Sequence, residues 1–292
     1  MADGLLSGKF AIITGAGRGM GRAMARAFAA AGAAGVCVTS GSSLGEIRKV
    51  ADEIDDIAGR KGTGLAITAD VRERAACAHA VEQAARSFGA LHILVNNAGL
   101  GMKNVGASRS AFWDCDPDGW EKLMGVNVNG PFHMARAAAK HLIAAGWGRI
   151  INVSKSADTM HSARNSPYGP SKAALEAMTI CWAQDLLGTG VTANVILPGG
   201  LTNTMFSRST AVPRARESGK AVYEPEDIAP LAVVLASSAS DAYAGCRFNA
   251  RGWRDDIPTL QALEACRTEP VFPRPRRPRE LMTAWQPLGE HA

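Results

Sequence analysis

A chain of 292 residues, 47% hydrophobic and 20% charged, has ordinary globular composition and ample length for a large core in one or two domains. It has no apolar run of about 18 residues and no basic region followed by a long apolar stretch at its start, so neither a transmembrane helix nor a secretory signal is expected. The net charge is +5, and much of the excess lies in Arg274-Pro-Arg-Arg-Pro-Arg279. That run is short, proline-laced and poor in aromatics, so it reads as a solvated tail, with no nucleic-acid or membrane partner expected.

Phe10–Thr14 is a short apolar run that predicts a buried parallel strand. Gly15-Ala-Gly-Arg-Gly-Met-Gly21 follows, and then the strong helix former Arg22–Ala31. Strand, glycine turn and helix come in the order a dinucleotide site needs. Gly15 permits the tight turn, Gly19 and Gly21 allow close backbone approach, and the helix N-terminus offers N–H groups to an anion. Val36–Thr39 predicts a second strand, which ends in Thr39-Ser40-Gly41 without a carboxylate. An acid at that place would hold a ribose 2′-hydroxyl, whereas a nearby base suits a 2′-phosphate. With Ser40 in the acidic slot and Arg18 close by, NADP(H) is favoured over NAD(H).

Leu44–Ala58 has the apolar stripe of an amphipathic helix. A third strand, Gly64–Ala69, ends at Asp70-Val71, where Asp70 can cap the helix Arg72–Phe88. A fourth strand, Ala90–Val95, runs into Asn96-Asn97-Ala98-Gly99, whose amides can tie neighbouring strands. Asp116-Pro-Asp starts a helix over Asp116–Val126, Gly125-Val-Asn-Val-Asn-Gly130 breaks it, and Phe132–Ala145 resumes it. A fifth strand, Arg149–Val153, leads to Ser154-Lys155-Ser156 and a loop at Asp158–Pro167. Then comes a helix over Tyr168–Leu187. Tyr168 and Lys172 share one face of it. A cation beside a phenol favours the phenolate and lowers a pKa otherwise near ~10, so the pair reads as a general acid/base for a carbonyl or hydroxyl. Val191–Leu197 predicts a sixth strand, ending in Pro198-Gly199. Met205–Tyr223 reads as a mobile polar segment, Glu224–Asp227 caps a helix over Ile228–Ser237, and Ala244–Phe248 is a short last strand. The six cysteines, Cys37, Cys77, Cys115, Cys181, Cys246 and Cys266, show no zinc or C-x-x-C spacing, which points to free thiols in a reducing cytoplasm.

Thr14-Gly15-x3-Gly19-x-Gly21, Asn96-Asn97-Ala98-Gly99 and Tyr168-x3-Lys172 together resemble the short-chain dehydrogenase/reductase family over residues 6–250. The resemblance implies a single doubly wound α/β Rossmann domain with about seven mostly parallel strands. It also implies hydride transfer between NADP(H) and a carbonyl/secondary-alcohol substrate. It carries cofactor binding onto Gly15, Arg18, Gly19, Met20, Gly21, Ser40, Asp70, Val71, Asn97, Ala98, Gly99, Tyr168, Lys172, Pro198, Gly199, Thr202 and Thr204. Catalysis falls to Tyr168, Lys172, Asn127 and a serine. Lys172 would also hold the nicotinamide ribose, and Asn127 would hold a water that links Lys172 to solvent. The family serine stands about a dozen residues before the tyrosine. Ser156 lies 12 before it and Ser154 14 before it, while 13, the commonest family spacing, falls on Lys155. A lysine cannot act as a neutral hydroxyl, so Ser156 is expected to orient the substrate oxygen, with Ser154 in reserve and Lys155 in solvent. The family packs subunits through the helices at Asp116–Ala145 and Tyr168–Leu187, which implies a homodimer or homotetramer, and it keeps a substrate lid at the place of Met205–Tyr223. Residues 251–292 extend beyond the family pattern as a Pro/Arg-rich tail, which would wrap a neighbouring subunit or be disordered. Two other readings stand beside the enzyme: a non-catalytic dinucleotide-binding sensor or scaffold, and a nucleic-acid binder acting through Arg274–Arg279.

Overall fold

The structure is a computed structural model that describes residues 4–105, 111–204 and 211–272. In chain order its elements are β1 (Phe10–Thr14), α1 (Gly19–Ala30), β2 (Gly35–Ser40), α2 (Leu44–Ala58), β3 (Gly64–Thr68), α3 (Arg74–Phe88), β4 (Ile93–Asn96), α4 (Pro117–Met124), α5 (Gly130–Ala144), β5 (Gly148–Val153), α6 (Ala157–Met160) and α7 (Tyr168–Asp185). They are followed by β6 (Val191–Leu197), β7 (Leu201–Thr202), α8 (Ala211–Glu217), β8 (Val222–Tyr223), α9 (Ala229–Leu235), β9 (Arg247–Asn249), α10 (Thr259–Cys266) and β10 (Arg267–Thr268). The main sheet runs β10-β9-β6-β5-β4-β1-β2-β3, and every pairing is parallel except β9 with β10. Consecutive strands β1, β2 and β3 run one way from the centre, while β4, β5, β6 and β9 run the other. The order therefore reverses between β1 and β4, and crevices at such a reversal hold ligands beyond the carboxyl ends of the strands.

Both faces of the sheet are buried, which is why its strands read as unbroken apolar runs. One core lies between the sheet and α1, α2, α9 and α10, around Ile13, Phe28, Val38, Ile54, Leu231 and Leu263. The other lies under α3 and α5, around Ile12, Leu94, Val81, Met134 and Leu142. Local signals set the helix ends. The Ser43 hydroxyl accepts from Glu46 N–H at 3.3 Å at the start of α2, and Gly59, at φ 63°, ends that helix. Asp116 caps α4 by accepting from Gly119 N–H at 2.9 Å, with Pro117 in the first turn.

Three expectations change on contact with the structure. The Gly125–Asn129 stretch does not break the long helix. It forms a π turn that joins α4 directly to α5, because a wider turn accommodates the glycines without losing the hydrogen-bond ladder. The Asp158–Pro167 loop contains the short helix α6. Most consequentially, the fold does not end at residue 250. β10 pairs antiparallel with β9 (Arg267 with Phe248, Thr268 with Arg247), and Leu263 and Cys266 of α10 are fully buried. An open sheet edge exposes unpaired backbone groups, and residues through 268 cover that edge. Of the expected lid, residues 205–210 lie outside the described residues. The rest forms α8 and β8, with β8 pairing to β7. The Arg274–Arg279 run also lies outside them. Among the described residues, no helix is long and apolar enough to cross a membrane.

Deleting a buried leucine side chain costs about 2–5 kcal/mol. Leu263→Ala is therefore expected to lower the unfolding midpoint in urea clearly; an unchanged midpoint would show that α10 is not part of the core.

Candidate active site

The glycine turn between β1 and α1 is as tight as the sequence predicts. Gly15 has φ +63°, and a Cβ there would come 2.8 Å from the Ala98 Cα. A Cβ on Gly21 would meet Asn97 Nδ2 at 2.5 Å and Gly15 O at 2.6 Å, so only glycine lets α1 lie this close to the strand ends. Asn97 Nδ2 donates to the carbonyls of Thr14 and Gly15, at 2.9 and 3.0 Å. The Thr14 hydroxyl accepts from the N–H groups of Asn97 and Ala98, at 3.1 and 3.0 Å. Asn96 Nδ2 donates to Asn152 Oδ1 at 2.8 Å, joining β4 to β5. The asparagine pair thus ties neighbouring strands, as its sequence position suggested.

The N-terminus of α1 has no side-chain cap and no acid in its first turn. Its first N–H groups, at Gly19, Met20 and Gly21, open the helix, and the acid beside the turn, Glu46, is paired with Arg18. Gly19, at φ +55°, faces Thr204 across the crevice: a Cβ on Gly19 would lie 3.4 Å from the threonine methyl. This donor set and the glycine cradle suit a pyrophosphate. Around the edge of the cradle, Ser40 Oγ accepts from the N–H groups of Ser42 and Ser43, each at 3.3 Å. Arg18 Nη1 lies 3.2 Å from Glu46 Oε1, an acidic neighbour that the sequence reading did not identify. Asp70 receives Arg72 through both carboxylate oxygens, at 2.6 to 3.1 Å, and accepts the Arg72 N–H at 2.9 Å. The guanidinium and that N–H hold its carboxyl below the usual range against burial. Val71 is buried, and its carbonyl faces His133 Nδ1 at 3.1 Å. Past β6, Pro198 is buried and Gly199 has φ +93°, where a Cβ would press on Arg251. Thr202 is buried on β7.

Across the crevice stands α7. Lys172 is 7% exposed, and its Nζ donates to the Val153 carbonyl, at the carboxyl end of β5, at 3.0 Å. A Cβ on Gly99 would lie 3.8 Å from that nitrogen, which places the lysine against the Asn-Asn-Ala-Gly segment. Tyr168, one helical turn earlier, packs against the Val105–Leu123 cluster beside Leu100 and Met102. Asn127 is fully buried in the π turn. Its Oδ1 accepts from Leu100 N–H at 2.8 Å, and its Nδ2 donates to Leu100 O at 2.9 Å and to Ser171 Oγ at 3.0 Å. Ser171 in turn donates to Tyr168 O at 2.7 Å. Asn127 thereby pins the first turn of α7 to the loop after Gly99.

The Ser154–Ser156 segment differs from expectation at Lys155. That residue is not in solvent: it is half-buried, and its Nζ donates to Gly200 O at 3.0 Å, because the segment turns back toward the loop after β6. Ser154 is 3% exposed and donates to Glu176 Oε1 at 2.7 Å. Ser156 is exposed at the start of α6, with its hydroxyl 2.8 Å from Thr159 Oγ1.

Sequence inspection also missed Glu176 and Arg247, both nearly fully buried. Arg247 Nε donates to both Glu176 oxygens, at 3.1 and 3.0 Å, its Nη2 to Lys155 O at 2.9 Å, and its Nη1 to Thr268 Oγ1 at 3.1 Å. A glutamate four residues after Lys172, in a helix otherwise small or apolar, was the available signal. Burial pushes the Glu176 carboxyl up, opposed by Ser154 and Arg247. Burial pushes the Lys172 ammonium down to about 8; repulsion from Lys155 adds to this, and Glu176 opposes it. Burial also pushes the Tyr168 phenol up to about 12. The expected lowering by Lys172 does not appear: the loss of water around the phenol is what sets the direction.

The family model described as "short chain dehydrogenase" matches residues 9–213. The chain is 36% identical to a short-chain type dehydrogenase/reductase of Picea abies, covering 81% of this chain and 88% of that one. It is 34% identical to NADPH-dependent aldehyde reductase 2, chloroplastic, of Arabidopsis thaliana, covering 85% and 94%. Among solved structures it is similar to a gluconate 5-dehydrogenase of Burkholderia cenocepacia in complex with NADP and tartrate. The TM-score is 0.73, the identity 30%, and the coverage 85% of this chain and 96% of that one.

Breaking a buried ion pair by removing one partner costs about 3–5 kcal/mol. Glu176→Gln is expected to destabilise the protein on that scale in urea unfolding, since it leaves Arg247 and Lys172 without their carboxylate; a loss below about 1 kcal/mol, the scale of exposed pairs, would show that the pair does not hold the site.

Proposed function

The chain belongs to the short-chain dehydrogenase/reductase family and is an NAD(P)-dependent oxidoreductase acting on a carbonyl/secondary-alcohol pair; within that activity we propose that it prefers NADP(H) and works through Tyr168, Lys172, Ser156 and Asn127. The observation that carries the residue assignment is the buried Lys172 ammonium at the end of β5, one helical turn from Tyr168 and against Gly99.

When bound, the nicotinamide supplies or accepts the hydride. Tyr168 gives its proton to the substrate oxygen in reduction and takes one in oxidation. The phenolate this leaves is stabilised by the Lys172 cation. Ser156 orients the substrate oxygen. Ser154 is the weaker candidate because its buried hydroxyl already donates to Glu176. Asn127 fixes the register of α7 against Leu100. Its side-chain amide protons are both in use, so a water relay from Lys172 would run through its main-chain carbonyl. The pyrophosphate would lie on the N–H groups of Gly19, Met20 and Gly21, with Thr204 opposite. Asp70 and Val71 would border the adenine. Ala98, Gly99 and Lys172 would border the nicotinamide ribose, and Pro198, Gly199 and Thr202 the carboxamide side.

NADP(H) is favoured by the absence of an acid at the end of β2 and by Arg18 at the turn. A 2′-phosphate would draw that guanidinium from Glu46, an exposed pair of little intrinsic strength. The similarity to an enzyme named NADPH-dependent and to one solved with NADP supports the same choice. Phe132 and Ile143, large apolar residues on α5 that are 46% and 44% exposed, support a homodimer or homotetramer built on that helix. Six unpaired cysteines support a cytoplasmic setting.

On a panel of ketones and aldehydes, kcat/KM with NADPH is expected to exceed that with NADH, and Arg18→Ala to narrow the gap; a clear NADH preference would overturn the cofactor assignment. Tyr168→Phe should abolish turnover while NADPH binding survives, and Ser156→Ala should cost more turnover than Ser154→Ala. Carbonyl reduction should decline as pH rises through about 8, where Lys172 loses its charge. Undiminished turnover in Tyr168→Phe would contradict the acid/base assignment.

A further inference from the structure

Lys155 has chemistry that hydride transfer alone does not use. It lies between the carboxyl end of β5 and the loop after β6, on the side of the sheet where doubly wound folds take ligands. Its main chain is fixed by Arg247 Nη2, which donates to Lys155 O at 2.9 Å. Its Nζ donates one hydrogen to Gly200 O. An ammonium has three donors, so two remain for a ligand.

The charge balance around it is uneven. Two cations, Lys172 and Arg247, act on one carboxylate, Glu176, and a third, Lys155, repels Lys172. Both oxygens of that carboxylate are taken by Arg247, and Oε1 also accepts from Ser154. Among the described residues Lys155 makes no ion pair. Burial lowers its pKa, and its charge in turn pushes on Lys172. A partly desolvated cation without a counter-charge is costly unless a ligand supplies one.

We propose that Lys155 recognises a carboxylate carried by the substrate near its reacting carbon, so that the preferred substrates are oxo acids and the corresponding hydroxy acids. The ammonium binds the carboxylate with the two N–H groups not used on Gly200, while the reacting oxygen stays with Tyr168 and Ser156. Lys155 is here a specificity residue. The Arg247–Glu176 pair, anchored on the far side by Thr268 of β10, is the support that holds its backbone. The proposal rests on the oxidoreductase reading above but can fail separately from it.

The binding test compares malonate with malonamide, each at a few millimolar, on the NADP+-loaded protein, read as a shift in Tm. Malonate is expected to raise Tm in the wild type and in Lys155→Arg but not in Lys155→Gln, and malonamide to shift none of them. The same malonate shift in Lys155→Gln, or no shift in the wild type, would overturn the proposal. The kinetic test compares acetoacetate with methyl acetoacetate under NADPH. Lys155→Gln is expected to lower the acid-to-ester ratio of kcat/KM at least tenfold; an equal loss on both would reduce Lys155 to a framework role and refute the assignment. A Tyr168→Phe protein that kept full turnover would instead refute the acid/base reading and leave the malonate result standing.

Discussion

A charged lysine nitrogen buried between a strand end and a helix is the constraint that organises this protein. Lys172 needs an acceptor where water is excluded, and it finds one in the Val153 carbonyl. That contact fixes α7 relative to β5, and with it the position of Tyr168 relative to Gly99. The contact in turn depends on the sheet order, since β5 neighbours β4 on one side and β6 on the other. The crevice at the β1/β4 reversal and the placement of Tyr168 and Lys172 on α7 are therefore consequences of one arrangement. Asn127 reinforces it from below: its amide bridges the loop after Gly99 and the first turn of α7, and the π turn between α4 and α5 makes room for that amide inside the fold.

The second constraint is electrostatic. Lys172 and Arg247 act on Glu176, Lys155 repels Lys172, and burial acts on each ionisable partner whose pKa departs from its ordinary value. Desolvation lowers the two lysines and raises the carboxyl and the Tyr168 phenol. Without a bound ligand, the crevice thus holds an excess of positive charge. This asymmetry suits the phosphates of a dinucleotide. It also couples the sheet edge to the site, because Arg247 on β9 touches Glu176, Lys155 and Thr268 at once. Residues 251–268 are in this way continuous with the buried charge cluster.

Much of this was legible in the sequence, for physical reasons that differ by residue. Glycine positions declared themselves, because Gly15 and Gly19 adopt positive φ and Gly21 has no room for a Cβ. Apolar runs marked the parallel strands, and Ser43 and Asp116 marked helix starts by capping them. What stayed hidden depends on long-range pairing. Nothing local announces that Glu176 meets Arg247, 71 residues away, or that the brief Arg267–Thr268 stretch closes the sheet edge. The run Ser154-Lys155-Ser156 was ambiguous by spacing alone. The backbone turn distinguishes the three side chains in a way spacing could not show: it buries the Ser154 hydroxyl, aims Lys155 at Gly200, and leaves Ser156 exposed. The downward pull of Lys172 on the Tyr168 phenol was overestimated, because a residue pair gives no measure of the desolvation that opposes it.

The most direct measurement is an NMR titration of the Lys172 side chain in the folded, ligand-free protein, with the resonance assigned by Lys172→Arg and the titration repeated in Lys155→Gln. The account predicts a midpoint near 8, against 10.5 for an unperturbed lysine, and a higher midpoint once the neighbouring charge is gone. A midpoint at the ordinary value, unmoved by loss of Lys155, would mean that Lys172 is solvated and uncoupled, and the account of the site built on it would be wrong.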